Sequence, residues 1–407
     1  MQEHAIPSDE VLVPIPSVAP IERTRPRHAA AHAPQKLLGL EVLRFVAAVA
    51  VLFWHYQNFW STPAGPVGFV REEQPLYHYF SSFYQFGLYG VQVFWSISGF
   101  IFFWKYRETI SERRITGKAF FILRFSRLYP LHLATLLLVA ALQIFYMSRN
   151  GDPFVYGSDD LYHFGLQLLM ASNWIPGVAS SFNGPIWSIS LEILVYLLFF
   201  VVLRYLGSSL LLSLGLIAAA AIAYQLNHGP IFQCIVCFYV GGTSATLAKT
   251  PAARRHRRLL GAASIAILVL VPLIGDRLHL FHLKPVVQTV VIAYIAVLLY
   301  VLAEHFEIPR VLESSVLTVG NMTYSSYLIH FPIQLSIANV CAAAGLAIPK
   351  ESTVFFVAYL SSVLVCAALI YRYFEMPCQR SIRRRFTEVL NENPRGRTAN
   401  KGVSASA

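Results

Sequence analysis

The sequence predicts an all-α protein that crosses a membrane about ten times, with both termini in the cytoplasm. Hydrophobic residues make up 56% of the 407 residues and charged ones only 13%, which leaves too little polar surface for a soluble domain. Apolar stretches of about 20 residues, the length needed to cross a bilayer, recur from Gly39 onward. Lys and Arg are concentrated in particular connections between these stretches, as expected when basic residues set membrane orientation.

The longest apolar runs predict ten spans. These are 38–60, 82–105, 128–148, 187–206, 208–226, 230–248, 258–275, 285–304, 321–346 and 352–375. Three segments, 105–127, 249–258 and 372–407, carry seven, five and eight basic residues. They alternate with connections that are poor in Lys and Arg, and this alternation places both chain ends inside the cell.

The chain divides into three predicted regions. Residues 1–35 contain six prolines and no apolar signal sequence, which predicts a disordered cytoplasmic leader. Residues 36–380 form the membrane domain, and 381–407 form a basic cytoplasmic tail. Within the domain, the outer connection 149–186 is the longest, and we expect it to cover an outward-facing site.

Several function classes are disfavoured by the sequence. The net charge of +11 lies in short connections and does not indicate a nucleic-acid partner. Cys234-x-x-Cys237 lies inside an apolar run and is interpreted as two small buried residues. His279-x-x-His282 has no further ligand in range, so we expect no metal site. Phosphate-cradling glycine loops, dinucleotide fingerprints and nucleophile elbows are not found. An intramembrane acid–base site is the main chemical hypothesis.

The first span places two titratable residues at its ends. Arg44 and His55 bracket ten apolar residues in RFVAAVAVLFWH. Eleven residues of helix put them on one face, about 16 Å apart along the axis. Ionisable residues inside membranes usually face an interior cavity. The alternative is that the two side chains extend to opposite headgroup layers.

A carboxylate lies within the fourth span. In the stretch PIWSISLEILVY, Trp187 marks the outer edge and Glu192 follows about two helical turns deeper. This depth is similar to that of His55, so Glu192 is predicted to orient the imidazole and to stabilise its charged form. The alternative is a pair between Glu192 and another donor, such as Arg204.

Two arginines open the third span. Arg124 and Arg127, in RFSRLYPLH, are neighbours on one helix face and suit a phosphate-rich ligand from the cytosol. Membrane orientation alone would also place arginines here.

Other motifs have two interpretations each. Ser98-Gly99 predicts close helix packing, or a serine that lines a channel for a thioester. His330, in the ninth span, is either a packed residue or part of the site. Glu375-x-Pro377 ends the last span, with Pro377 as the helix stop.

Together these motifs resemble the acyltransferase 3 family of integral membrane acyltransferases, which includes bacterial O-antigen and exopolysaccharide O-acetylases. The resemblance covers residues 36–380. It rests on motifs that occur in the family's order, with residues Arg44 and His55, Ser98 to Phe100, Arg124, Arg127 and Pro130, Trp187, Ser188 and Glu192, Ser325 to His330, and Glu375 and Pro377.

The resemblance implies transfer of an acyl group, usually acetyl from acetyl-CoA or another short acyl-CoA, to a sugar hydroxyl. His55, Glu192 and Arg44 would be catalytic. The acyl-CoA and the carbohydrate acceptor would be bound by a second set of residues, Arg124, Arg127, Ser98, Trp187 and His330. His55 would act as general base or would carry the acyl group transiently. The implied location is the bacterial inner membrane, with several passes through the bilayer and no metal cofactor.

Two other hypotheses fit the sequence. A transporter or flippase for an anionic or sugar-linked substrate would also have many spans with buried Arg, His and Glu, although no repeat relates the two halves. An acyltransferase for a small-molecule or lipid-linked acceptor would keep the chemistry and change the substrate. The sequence leaves the oligomeric state open, a homo-oligomer included.

Overall fold

The structure is a computed structural model that describes residues 37–277 and 284–392, with side chains outside 272–291 and 387–392. The predicted leader and the His279-x-x-His282 motif lie outside the described residues. The regular structure of the described chain is helical apart from a short antiparallel pair of strands, and irregular connections join the helices. The strands are β1 (Ser61–Thr62) and β2 (Gly65–Pro66). The helices are α1 (Leu38–His55), α2 (Tyr77–Phe86), α3 (Gly90–Ser111), α4 (Gly117–Asn150), α5 (Leu161–Leu168), α6 (Trp187–Val201), α7 (Leu210–Asn227), α8 (Pro230–Ala248), α9 (Pro251–Arg255), α10 (Arg257–Arg277), α11 (Lys284–Glu304), α12 (Arg310–Asn321), α13 (Thr323–Ala344), α14 (Thr353–Ile370) and α15 (Met376–Glu392).

Eight helical segments of the described chain are long and apolar enough to cross a membrane. They are Leu38–Trp60, Tyr77–Ser111, Gly117–Asn150, Gly184–Leu206, Leu210–Asn227, Pro230–Ala248, Thr323–Ala344 and Thr353–Phe386. They correspond to eight of the ten predicted spans. The other two predictions coincide with α10 and α11, and the described side chains of α11 form an apolar helix over Ile292–Glu304. An all-α polytopic membrane protein is confirmed, while the total of ten spans stays a prediction.

The basic segment 105–127, predicted as a connection, is largely helical. Helix α3 ends at Ser111 and α4 begins at Gly117, so only five residues join them. The Thr116 hydroxyl accepts a hydrogen bond from the Ala119 N–H at 3.2 Å and caps α4. Arg124 and Arg127 therefore lie in the first turns of a regular helix, which fixes their common face.

The prediction that Pro377 stops the last helix is wrong. Helix α14 passes through a wide π-helical turn, Tyr371–Glu375, and continues directly as α15 to Glu392. A proline inside a helix removes one hydrogen bond and clashes with the preceding turn. The wide turn immediately before Pro377 relieves that clash, so the chain stays helical. The boundary predicted at residue 380 consequently falls inside α15.

Helices α3 and α8 approach each other through glycine. A Cβ atom at Gly99 would overlap the carbonyl oxygen of Phe238, and one at Gly241 would overlap that of Ser96. Between membrane helices, small residues let the backbones come close enough for direct contact. The close packing predicted from Ser98-Gly99 is confirmed.

The outer connection packs onto α13. The ring of Tyr156 lies 5.1 Å from that of Phe331, centroid to centroid. The Asn183 Nδ2 donates to the carbonyl oxygen of Leu328 at 3.1 Å. Leu328 and Phe331 lie on either side of His330 along the chain, so the outer connection covers the helix segment that carries this histidine.

Asp159 forms a hydrogen bond within the outer connection. Its Oδ1 accepts a hydrogen bond from the backbone N–H of Phe182, while Oδ2 is buried without a hydrogen-bond partner in the described chain. Burial raises the pKa of Asp159 to about 6, against the opposing effects of the Phe182 hydrogen bond and of nearby His163. The carboxyl group therefore changes charge near neutral pH.

Gly99→Leu is expected to destabilise the protein, because the new side chain has no space beside the Phe238 carbonyl. Overpacking of this kind costs about 1–3 kcal/mol or more. The readouts are the melting temperature and the fraction of monodisperse protein in detergent. Gly215→Leu on α7 is the matched control, since a Cβ there meets nothing within 4 Å. Equal melting temperatures for the two variants would contradict the close packing.

Protonation of Asp159 is expected to stabilise the fold at low pH. The folded protein binds this proton more tightly than the unfolded chain does, because folding raises the pKa from 3.8 to about 6. Stability therefore falls as pH rises through this window. Asp159→Asn keeps the acceptor for Phe182 and cannot ionise.

The melting temperature of the wild type should accordingly decrease more than that of Asp159→Asn between about pH 4 and pH 6.5, the window set by the unfolded and folded pKa values. The exposed Asp152→Asn serves as control and should follow the wild type. Identical pH profiles for the wild type and Asp159→Asn would refute the assignment.

Candidate active site

The Arg44 side chain is paired within its own helix. Its Nη1 donates to Glu41 Oε2 at 2.9 Å, and both side chains are 15% exposed. Neither the sequence motifs nor the depth argument had identified Glu41. Glu41 and Arg44 are three residues apart, and opposite charges at this spacing meet on one helix face. The pair could therefore have been predicted from the sequence.

Arg124 lies against aromatic rings. Its Nη2 donates to the Tyr106 hydroxyl at 2.8 Å, and its guanidinium lies 4.8 Å from the centroid of the Phe102 ring. This cation–π geometry holds the guanidinium plane in place. Arg124 Nε is buried without a hydrogen-bond partner in the described chain. A fixed guanidinium with an unsatisfied N–H is available to an anionic ligand.

Arg127 is close to carboxylates from two other helices. Its charge interacts most strongly with Glu375 of the π-helical turn and then with Glu41 of α1. Glu375 is 3% exposed and accepts a hydrogen bond from the Ser325 hydroxyl at 2.6 Å. Even so, Arg127 Nη2 is buried and unpartnered among the described residues. The arginine thus interacts favourably with two carboxylates and still has a donor without a partner in the described chain.

Ser98, Tyr196 and Glu192 form a polar group in the middle of the bundle. The hydroxyl oxygens of Ser98 and Tyr196 are 3.2 Å apart, and the Glu192 carboxyl group interacts with both. The Tyr196 ring stacks on Phe102 at 4.3 Å between centroids. Because Arg124 contacts the same Phe102 ring, this group is connected to the arginines.

The predicted pair between His55 and Glu192 is not formed. The partners of Glu192 are Ser98 and Tyr196, with Arg44 and Arg124 as the nearest cations. The depth estimate assumed that the fourth span starts at the membrane surface. Its first turn, Gly184–Ile186, is instead buried beneath the outer connection, so two further turns carry Glu192 deeper than His55.

His55 is paired with His330. Their rings lie 4.9 Å apart, centroid to centroid. Nδ1 of His55 is 2.9 Å from the Val51 carbonyl oxygen, and Nδ1 of His330 is 2.7 Å from that of Tyr327. A carbonyl oxygen only accepts, so each Nδ1 carries the proton and each Nε2 presents a lone pair. His330 Nε2 is buried without a partner in the described chain, and the His55 side chain is half-buried.

Two side chains of α13 align this histidine pair. The Gln334 side chain donates from Nε2 to the His55 carbonyl oxygen at 2.8 Å. The Tyr327 hydroxyl, three residues before His330, donates to the Pro185 carbonyl oxygen at 2.7 Å. These bonds connect the histidines to the end of α1 and to the start of the fourth span.

Trp187 begins α6 and precedes Ser188, which connects this helix to α13. Its ring meets that of Trp95 edge to face at 5.8 Å. The Trp95 indole N–H donates to the Ser188 carbonyl oxygen at 3.2 Å, and the Ser188 hydroxyl lies 2.8 Å from that of Tyr327. We call the whole set the polar column. Its members are Arg124, Arg127, Ser98, Glu192, Tyr196, Trp187, Tyr327, His330 and His55.

Two members of the polar column, Tyr196 and Tyr327, lie in the quoted motifs but were not identified as site residues from the sequence. Tyr196 follows Glu192 by four residues, and Tyr327 precedes His330 by three. Both intervals place side chains on one helix face. A search for polar neighbours at these spacings would have found them.

The polar column has two chemically different ends. Around Arg124 and Arg127, donors with positive charge suit phosphate oxygens. At His55 and His330, two neutral imidazoles offer lone pairs to a hydroxyl proton. Such an arrangement can hold a phosphorylated donor at one end and activate an acceptor hydroxyl at the other.

Comparison with known proteins identifies the family. The profile of the acyltransferase domain matches residues 37–372. The acyltransferase MdmB of Streptomyces mycarofaciens is 34% identical over 115 residues, which are 28% of this chain and 27% of that protein. The chain thus spans about a quarter of the length of this curated relative. No solved structure matches it. Because the domain profile covers most of the sequence, the chain belongs to the acyltransferase 3 family of membrane acyltransferases.

Proposed function

We propose that this membrane acyltransferase moves a short acyl group, acetyl in the simplest case, from cytosolic acyl-CoA to a hydroxyl group of a cell-surface or exported polysaccharide. The observation that carries the proposal is the polar column, which links a pair of arginines to a pair of histidines across the bundle. The resemblance to bacterial O-acetylases supports the choice of acyl group and acceptor.

The arginine end is the proposed donor entrance. Coenzyme A carries several phosphate charges, and guanidinium groups bind phosphate oxygens through paired hydrogen bonds. The unpartnered N–H groups of Arg124 and Arg127 are suited to this task. The basic residues around the α3–α4 connection favour a cytoplasmic location for this end. Ser98, Glu192 and Trp187 would then line the path of the pantetheine arm.

The histidine end is the proposed site of transfer. His55 Nε2 removes the proton from the acceptor hydroxyl as its oxygen attacks the thioester carbonyl carbon. The tetrahedral intermediate collapses, the carbon–sulfur bond breaks, and the thiolate of coenzyme A takes the proton from the imidazolium. His330 Nε2 lies beside this position and stabilises the proton during the step. No further reactant is required.

The proposed location is the bacterial inner membrane, with several passes through the bilayer. Basic connections then face the cytosol, where acyl-CoA is made, and the outer connection faces the acceptor. Transfer across the bilayer explains why the two ends of the polar column differ in chemistry.

The proposal is tested on surface glycan from a deletion strain. O-acyl substituents should be missing and should return with the wild-type gene but not with His55→Asn. Unaltered glycan acylation, together with transfer to a small or lipid-linked acceptor, would overturn the polysaccharide assignment. Purified protein that transfers no acyl group to any hydroxyl acceptor would overturn the direct mechanism.

His55→Asn is expected to reduce acyl transfer by about 10²–10⁴-fold, the usual contribution of a general base. The asparagine amide can still donate to the Val51 carbonyl but has no lone pair in place of Nε2. The measurement is release of free coenzyme A thiol by membranes with equal amounts of protein. His228→Asn is the matched control, because His228 is exposed and has a left-handed backbone that asparagine accepts well. Full activity of His55→Asn would remove the base from the mechanism.

The two histidines should also behave as one unit. His330→Asn is expected to lower activity, and the double variant should be no slower than the slower single variant, because both act on one proton. Losses that simply multiply would show that the histidines act independently.

Arg127→Gln is expected to raise the KM for acyl-CoA about tenfold or more, with a smaller change in kcat. Because the variant also leaves Glu375 without its cation, Arg127→Lys is needed beside it. Lysine keeps the charge and the fold but lacks the paired donors, so KM should still rise. Arg149→Gln, exposed at the far end of α4, should leave KM unchanged. An unchanged KM in Arg127→Gln would mean that this arginine contributes only to the orientation of the protein in the membrane.

A further inference from the structure

Helix α15 brings an additional arginine to the donor entrance. Arg383 Nε donates to the Ser126 hydroxyl at 3.2 Å, and Ser126 lies between Arg124 and Arg127 in the sequence of α4. A second contact holds the two helices together, since the Lys118 ammonium lies 5.7 Å from the centroid of the Phe386 ring. The position of Arg383 is therefore determined by packing against α4.

The position of Arg383 lies beyond residues 37–372, the part matched by the acyltransferase profile. The family comparison thus carries no information about it. The sequence analysis assigned the same stretch to a basic tail. Only the continuation of the last span through the π-helical turn places Arg383 beside the arginines of α4.

Positive charge is in excess at this end of the bundle. Arg383 interacts electrostatically with Arg124 and Arg127, and Lys105 of α3 interacts with the same two arginines. The carboxylates of the described chain that interact with the cations at this end, Arg44 included, are Glu41, Glu375 and Glu192, and Arg44 already forms an ion pair with Glu41. Even without Arg383, four cations, Arg44, Lys105, Arg124 and Arg127, share these three carboxylates, and the surplus of positive charge favours an additional anion.

Two buried donors in the same group have no partner. Arg124 Nε and Arg127 Nη2 lack hydrogen bonds within the described chain. Buried N–H groups are rarely left unsatisfied, and guanidinium donors match phosphate oxygens. This pair of donors is therefore suited to an anion of the phosphate type.

We propose that Arg383 completes a phosphate site with Arg124 and Arg127, and that it binds the phosphate farthest from the thioester. This inference rests on the proposed function, in which the ligand is acyl-CoA and that phosphate is its 3′-phosphate. Along the continuous last helix, Arg383 lies eight residues beyond Glu375, or about 12 Å toward the donor entrance. Arg383 therefore lies farther from the histidines than Glu375 does, which assigns it to the phosphate farthest from the thioester.

The test compares coenzyme A with 3′-dephospho-coenzyme A. Binding of each is measured by calorimetry on the purified full-length protein in lipid nanodiscs. The wild type should bind coenzyme A about tenfold more tightly than the dephospho form. Arg383→Gln should lose this preference, because its affinity for coenzyme A falls while that for the dephospho form stays the same.

Two further variants control for folding and for bulk charge. Arg383→Lys keeps the charge and should retain part of the preference, so a total loss in Arg383→Gln cannot be attributed to misfolding. Arg385→Gln removes an exposed arginine from the same helix and should retain the full preference. A preference in Arg383→Gln equal to that of the wild type would overturn the inference.

A further comparison with different lipids distinguishes the phosphate of coenzyme A from that of a lipid headgroup. Nanodiscs with and without phosphatidylglycerol should give the same preference for coenzyme A in the wild type. If Arg383→Gln loses bound phosphatidylglycerol and keeps the coenzyme A preference, the site belongs to a lipid headgroup and the inference fails. If the wild type binds neither form of coenzyme A, the proposed function fails with it. These two failures are distinguished by the wild-type data alone.

Discussion

The structure depends on the requirement that charge inside a membrane bundle be balanced. The charge of Arg127 interacts favourably with Glu375 and Glu41, which come from the last span and the first. A buried cation without such partners would be very costly in a low-dielectric interior. The Ser325 hydroxyl adds a hydrogen bond from α13 to Glu375. Four helices distant in sequence are therefore held together at one level of the bundle, and this level is the proposed donor entrance.

Aromatic rings connect the arginines of the proposed donor entrance to the polar residues that lie toward the histidines. Phe102 contacts Arg124 on one side and stacks on Tyr196 on the other, so a cation and a polar hydroxyl share one ring. The glycine contact between α3 and α8 brings the two backbones together on the same helix that carries Ser98. Gly99 and Phe102 lie three residues apart on one face of α3, and both contact Phe238 of α8, so the tight helix packing and the aromatic path share this face.

At the outer end, the outer connection covers the segment of α13 that carries His330. The outer connection contacts α13 on both sides of His330, and Tyr327 bonds to the start of the fourth span. Under the proposed function, such a cover protects a thioester from hydrolysis while the acceptor hydroxyl reaches His55. The half-buried state of His55 against the full burial of His330 fits a division between contact with substrate and support.

The sequence by itself determined the helical membrane architecture, the approximate position of most spans and the family, because apolar length, loop charge and motif order are local properties. It also contained the Glu41–Arg44 pair, which needs only helical spacing. Tertiary structure alone decided which side chains meet across helices. His55 has His330 as its neighbour and not Glu192, since the fourth span starts below the surface. Arg383 joins the arginines of α4 because a wide turn carries the last helix past Pro377. The depth of each helix in the membrane and the angles at which helices cross depend on packing among all the helices. No single stretch of sequence encodes this packing.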